Sequence, residues 1–178
     1  MDENKKHYIV TSITLGVIAS LSAGLIALTD LITKDQIKQN EINKINAGIA
    51  SIFGDSISIK SENDLSSYQY TSHYYEVSDS NNERLGYAFR TTGSNMYGKI
   101  SLIIGYTEED HSFKSLEIVT DEQTYASTLE DNYIDLVNKG ERQIEDVSCG
   151  ATYGAKLVRD MINDAYIAAL DLWGINHG

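Results

Sequence analysis

The sequence predicts an α+β protein: an N-terminal transmembrane helix, then an extracytoplasmic domain with a mainly antiparallel sheet and flanking helices. Three observations carry this. Residues 8–28 hold no charged side chain. Residues 56–119 alternate β-branched and aromatic positions between turn-forming clusters. Residues 155–172 place apolar side chains at helical spacing.

The uncharged run reads YIVTSITLGVIASLSAGLIAL. At 1.5 Å per residue it makes a helix of about 31 Å, matching a hydrocarbon core of roughly 30 Å. Its small and hydroxylated residues, Thr11, Ser12, Thr14, Ser20 and Ser22, suit contact with other membrane helices. Lys5 and Lys6 precede the run, so the positive-inside rule keeps the N-terminus cytoplasmic and places the domain outside. The run is longer than a usual signal-peptide core. A lipoprotein anchor would need a cysteine just after it, and the single cysteine is Cys149.

Residues 33–53 place Ile42, Ile45, Ile49 and Ile52 at spacings of three and four, an amphipathic helix with an isoleucine packing stripe. Gly54-Asp55 ends it. Expected strands follow at 56–60, 68–77, 85–91, 99–106 and 115–119, with turns at the Asp-Ser-Asn-Asn-Glu, Thr-Gly-Ser-Asn and Glu-Glu-Asp-His clusters. Tyr68, Tyr70, Tyr74 and Tyr75 read as cross-strand packing. A short helix is expected at 128–138, stopped by Lys139-Gly140. In the last helix, Leu157, Val158, Met161, Ile162, Ala165, Ala168, Ala169 and Leu172 form one apolar stripe. The expected organisation is 1–32 as cytoplasmic tip and transmembrane helix, 33–54 as amphipathic stalk helix, and 55–178 as the α+β domain.

Composition narrows the function classes. A net charge of −12 over 178 residues excludes nucleic acid, whose phosphates need a basic surface. One cysteine excludes an intrachain disulfide and Cys-rich metal clusters. The histidines, His7, His73, His111 and His177, have no helical i, i+4 pair, so no metal site is expected. With no proline in the chain, turns must rest on Gly, Asn, Asp and Ser.

The chemistry concentrates in Asp146-Val147-Ser148-Cys149-Gly150-Ala151-Thr152, directly before the last helix. A helix N-terminus presents unpaired N–H groups and partial positive charge, which favour a phosphate. Gly150 and Ala151 carry little bulk, so backbone can approach that phosphate closely, and Thr152 supplies a hydroxyl. Asp146 is read as organising the turn, since a carboxylate beside a phosphate would repel it. Taken alone, Gly-Ala-Thr before a helix is also a common tight turn and N-cap.

Asp146-x-x-Cys149-Gly150-Ala151-Thr152 resembles the Asp-x-x-Ser/Thr-Gly-Ala-Thr motif of membrane-anchored FMN-binding domains. That family includes the G subunit of Rnf electron-transport complexes and the C subunit of sodium-translocating NADH:quinone oxidoreductases. The resemblance implies covalent FMN, joined by a phosphoester to Thr152, with Ala151, Gly150, Cys149 and Asp146 around it. Cys149 stands where the family has Ser or Thr, and Gly154 where it often has a second hydroxyl. The family's Glu-Thr-Pro-Gly turn corresponds to residues 121–126, matching at Glu122, with Tyr125 placed to stack on the flavin ring. Tyr97-Gly98-Lys99-Ile100 resembles its aromatic-glycine turn.

The resemblance further implies an electron-transfer subunit within an ion-translocating complex, with other membrane subunits as partners and an exported flavin transferase, using FAD and Mg²⁺, as the modifying enzyme. The flavin supplies the redox chemistry, and no catalytic residue of this chain is required. Two alternatives stand beside this reading: a stand-alone membrane-tethered FMN carrier, and an anchored binding domain without cofactor in which Thr152 is only a cap.

Overall fold

The computed structural model describes residues 3–176; His177 lies outside them. The chain forms two compact units, residues 1–42 and 43–178. One helix, α1 (Glu3–Phe53), runs through the first and contributes its last turns to the second.

In the first unit, α1 is long and apolar enough to cross a membrane, with a mean hydropathy of 2.0 in its most apolar window. Ile9, Val10, Ile13, Leu21 and Leu25 are all exposed, as side chains made for lipid must be. Four hydroxyls in this part of the helix are satisfied by its own backbone. Thr11, Thr14, Ser20 and Thr29 each donate to the carbonyl four residues back, at 2.8–2.9 Å.

The second unit is built on a five-stranded antiparallel meander: β1 (Ser58–Asp64), β2 (Thr71–Ser78), β3 (Arg84–Asn95), β4 (Gly98–Thr107) and β5 (Phe113–Asp121), in that spatial order. All five expected strands are present. Alternation along β4 sends Ile100, Leu102, Ile104 and Tyr106 to one face and Ile103 to the other. The first face packs under α2 (residues 126–138) and α3 (Thr152–Trp173). The second packs under Ile45, Ile49 and Ile52 of α1. Ile42, expected in that stripe, is 39% exposed and lies outside the core. Gly105 explains how closely helix and sheet approach: a Cβ there would sit 2.5 Å from Ile52 Cγ2.

Element ends differ from the sequence reading for identifiable reasons. The expected strand at 68–77 begins only at Thr71, because Asp164 of α3 captures the preceding backbone. Its carboxylate accepts from the N–H groups of Gln69, Tyr70 and Thr71 at 3.1, 2.9 and 2.8 Å, and from the Thr71 hydroxyl at 2.7 Å. Of the four tyrosines there, Tyr74 packs edge-on to Tyr87 at 5.9 Å, whereas Tyr68 instead donates to Asp171 at 2.5 Å. The turn expected at Thr-Gly-Ser-Asn is strand. Thr92, Gly93, Ser94 and Asn95 pair with Ser101, Ile100, Lys99 and Gly98, so the turn moves to Met96-Tyr97.

Helix α2 starts as Ala126–Leu129, continues through a π turn at Glu130–Ile134, and ends as Asp135–Asn138. Gly140, with φ +70°, closes it as expected. Helix α3 buries its whole stripe from Leu157 to Ala169. Its far end is held where Trp173 Nε1 donates to Glu108 Oε2 at 2.8 Å and Arg84 pairs with the same carboxylate.

Without proline, polar side chains make the turns. Asp79 Oδ1 accepts from the N–H of Asn81 and Glu83, while Asn82 takes φ +68°. Asp110 accepts from Thr107 and Ser112, beside His111 at φ +56°.

Candidate functional site

Three segments converge on one cleft: the β3–β4 turn, the chain from β5 into α2, and the start of α3. Its walls are Tyr97, Gln123, Tyr125, Leu129 and residues 150–154, which surround a small cleft open to solvent.

The turn is the cornerstone. Asn95 Oδ1 accepts from the Tyr97 N–H at 2.8 Å, shaping the two-residue tip. Gly98 follows with φ +139°, and a Cβ there would lie 2.1 Å from the carbonyl oxygen of Glu122. Only glycine, which lacks that Cβ, leaves room for the Glu122 carbonyl. Around it the segment after β5 is tied down at every step. Glu122 N–H donates to Lys99 O at 2.8 Å, Gln123 Nε2 to Gly98 O at 2.5 Å, and Thr124 N–H to Tyr97 O at 2.9 Å. Asn95 Nδ2 also donates to Tyr153 O at 3.2 Å, fixing the turn to α3.

Thr152 is the first residue of α3, not its cap. Ala151 occupies the N-cap with φ −113° and ψ 44° and has no side chain to offer the first N–H groups. The N-terminus of a 22-residue helix therefore opens uncapped onto the cleft. Among the described residues, the Thr152 hydroxyl has no hydrogen-bond partner. Gly150, at φ +87°, turns the chain into this position.

The remaining expected site residues fall into distinct places. Cys149 is 8% exposed and packs in the core beneath α2 and α3, its carbonyl accepting from Asn132 Nδ2 at 3.3 Å. Asp146 stands away from the cleft walls. It pairs with Arg142 Nη1 at 3.3 Å, while the same nitrogen donates to the carbonyls of Asp146 and Ser148 at 2.9 and 3.2 Å. Its role in this geometry is to shape the turn that delivers Gly150–Thr152. Glu122 is exposed and stands outside the cleft walls, touching the β3–β4 turn through its N–H bond to Lys99 O. Tyr125 lines the cleft.

Sequence reasoning did not single out Gln123, Leu129 or Tyr153. Gln123 is 7% exposed between an exposed glutamate and an exposed threonine, which no local pattern announces. Gly154, conspicuous in the sequence for lacking a hydroxyl, has a steric reason: a Cβ there would lie 3.0 Å from Leu129 Cδ2 and 3.5 Å from Gln123 Oε1.

No charged side chain lines the cleft. Lys156, one helical turn after Thr152, has its Nζ 5.9 Å from the centre of the Tyr153 ring. The nearest perturbed acid is Asp121, whose carboxyl is pushed above the ordinary carboxylate range by burial and partly restored by the Gln123 N–H. Its Oδ2 is buried without a partner. Among the described residues no group of His, Cys, Asp and Glu is arranged to hold a metal. The arrangement suits a ligand with one anionic end and one planar aromatic end. Backbone N–H groups and a free hydroxyl face the first, tyrosine rings the second.

No curated protein matches the chain. Residues 1–52 match the family model of the RnfG N-terminal region, the part that contains the membrane-length helix. The match makes residues 1–52 similar to the N-terminal region of RnfG.

Proposed function

We propose that this chain carries FMN as a phosphoester on Thr152 and passes electrons within an Rnf-type ion-translocating complex. One observation carries the reading. A threonine hydroxyl without an internal partner stands at the uncapped N-terminus of α3, on the wall of a cleft lined by aromatic rings. The residues present fit the cofactor. Phosphate charge is favoured by the helix end and by Lys156, which shares the Thr152 face of α3 at i, i+4. The similarity of residues 1–52 to the RnfG N-terminal region supports membership of such a complex.

Attachment needs an acceptor and a donor. The Thr152 O–H bond breaks and an O–P bond forms with the flavin-side phosphorus of FAD. The bond from that phosphorus to AMP breaks, AMP leaves with the electron pair, and the proton passes to the flavin transferase. Gly150 and Ala151 leave the acceptor sterically open, and the Arg142–Asp146 pair holds the turn that presents it. Once bound, the flavin supplies the redox chemistry. Thr152 would tether it and the cleft residues would set its surroundings, while ion movement would belong to partner subunits.

The orientation follows from Lys5 and Lys6: N-terminus cytoplasmic, residues 43–178 extracytoplasmic. Protease added outside sealed cells should then digest the α+β unit. The site is tested by co-expressing the chain with a flavin transferase and viewing a denaturing gel under ultraviolet light. A fluorescent band is expected for the native chain and none for Thr152→Ala. A dark native band contradicts covalent FMN, and a bright Thr152→Ala band moves the attachment elsewhere.

A further inference from the structure

Three tyrosines from three separate segments meet at the cleft. Tyr97 sits at the β3–β4 turn, Tyr125 at the start of α2, and Tyr153 in the first turn of α3. Tyr97 is edge-on to Tyr125 with centroids 5.6 Å apart, and tilted against Tyr153 at 5.7 Å. Tyr125 and Tyr153 are nonetheless 52% and 59% exposed. Rings that served only as packing would be covered; a contiguous exposed aromatic surface at a cleft marks a binding site.

Several tyrosines of the body are held through their hydroxyls. Tyr68, Tyr75, Tyr87, Tyr106 and Tyr133 are pinned through their hydroxyls to Asp171, Glu62, Arg84, the Ile162 carbonyl and the Ile144 carbonyl. Among the described residues, Tyr97, Tyr125 and Tyr153 have no such bond. What holds them is their backbone: Tyr97 O accepts from both Thr124 N–H and Thr124 Oγ1, and Tyr153 O accepts from Asn95 Nδ2. The backbone that carries the rings is thus tied down before any ligand arrives, while the rings themselves stay available.

We propose that Tyr97, Tyr125 and Tyr153 form a clamp for a planar, electron-poor aromatic ring. The proposal rests on the flavin reading above, which makes that ring the isoalloxazine. A phenol is electron-rich and an isoalloxazine electron-poor, so stacking is favoured and the flavin's fluorescence is quenched by its neighbour. Tyr153, next in sequence to the acceptor Thr152, ties ring recognition to the attachment point.

The test uses the full-length flavinylated chain in detergent, with Tyr125→Leu, Tyr153→Leu and the corresponding Phe variants. Both rings are more than half exposed, so the fold tolerates the change, and far-ultraviolet circular dichroism verifies it. Gel fluorescence after denaturation reads attachment; fluorescence and visible circular dichroism of the folded protein read the clamp. Each Leu variant should keep its gel band, gain folded-state flavin fluorescence several-fold and lose visible dichroism. The Phe variants should keep the dichroism. Leu variants with native fluorescence and dichroism overturn the clamp while leaving attachment intact.

If the native chain takes no covalent flavin, titration of the flavin-free protein with riboflavin reads the clamp alone. About five-fold weaker binding is expected in each Leu variant. Absence of riboflavin binding to the native protein, or equal affinity in the variants, overturns it.

Discussion

Replacing Gly98 by alanine should damage both the fold and the cleft, because two separate costs fall on one atom. At φ +139° an L residue is strained by about 1–3 kcal/mol. The new Cβ would also meet the Glu122 carbonyl oxygen at 2.1 Å and its carbon at 2.7 Å. Those are backbone atoms, held in place by the Glu122 N–H bond to Lys99 O. They cannot swing aside as a side-chain tip would, and overpacking of this kind costs about 1–3 kcal/mol more. The sum is about 2–6 kcal/mol.

Gly140→Ala is the matched control. It also has positive φ, +70°, but nothing lies within 4 Å of its would-be Cβ, so only the conformational cost of about 1–2 kcal/mol applies. Urea unfolding in detergent, followed by near-ultraviolet circular dichroism of the tyrosine-rich unit, compares the two. In a domain of this size the excess for Gly98→Ala corresponds to a melting temperature lower by several degrees, on the order of 3–4 °C per kcal/mol. Equal losses in the two variants would refute the close approach as the reason for glycine. Riboflavin binding should fall in Gly98→Ala and persist in Gly140→Ala.

Further expectations follow from the same geometry. Asp164→Ala leaves the N–H groups of Gln69, Tyr70 and Thr71 without their acceptor, and a loss of about 1–3 kcal/mol is expected in the same unfolding assay; a change within error would show that water replaces the carboxylate. Gly105→Ala should cost about 1–3 kcal/mol by driving a Cβ into Ile52, read as a lower melting temperature, and an unchanged one would argue against the tight helix–sheet contact.

Glu108 sets a pH dependence. Burial pushes its carboxyl up, but the Arg84 and Trp173 hydrogen bonds outweigh that and hold it below its ordinary 4.5. A carboxylate depressed in the fold adds stability above the unfolded value and loses it as pH falls through the folded one. Glu108→Gln should therefore flatten the acid side of the stability–pH curve, and an unchanged curve would contradict the role.

Much of the fold was legible because it rests on local periodicity. The β4 alternation and the α3 stripe are each read within a few turns of chain, and both appear as expected. What shifted was set by distant groups. Asp164 removes the start of the expected second strand from the sheet, and Gly93 stays in β3 where a turn was expected, its open side against Leu157 and Met161 of α3. No window of sequence around residue 70 or 93 contains those partners. The cleft divides in the same way. Thr152 and Gly150 were visible as a glycine turn before a helix, whereas Gln123 and Tyr153 join only through the β3–β4 turn. Cys149 and Gly154, which looked like departures from a motif, are positions of core packing and close approach.

The central claim concerns one oxygen atom, and peptide mass mapping reads it directly. The chain co-expressed with a flavin transferase is digested, and the peptide spanning Cys149–Lys156 is fragmented. That peptide should carry the mass of FMN less one water, with the fragment series placing it on Thr152. An unmodified Thr152 peptide, or FMN found on any other residue, would contradict it.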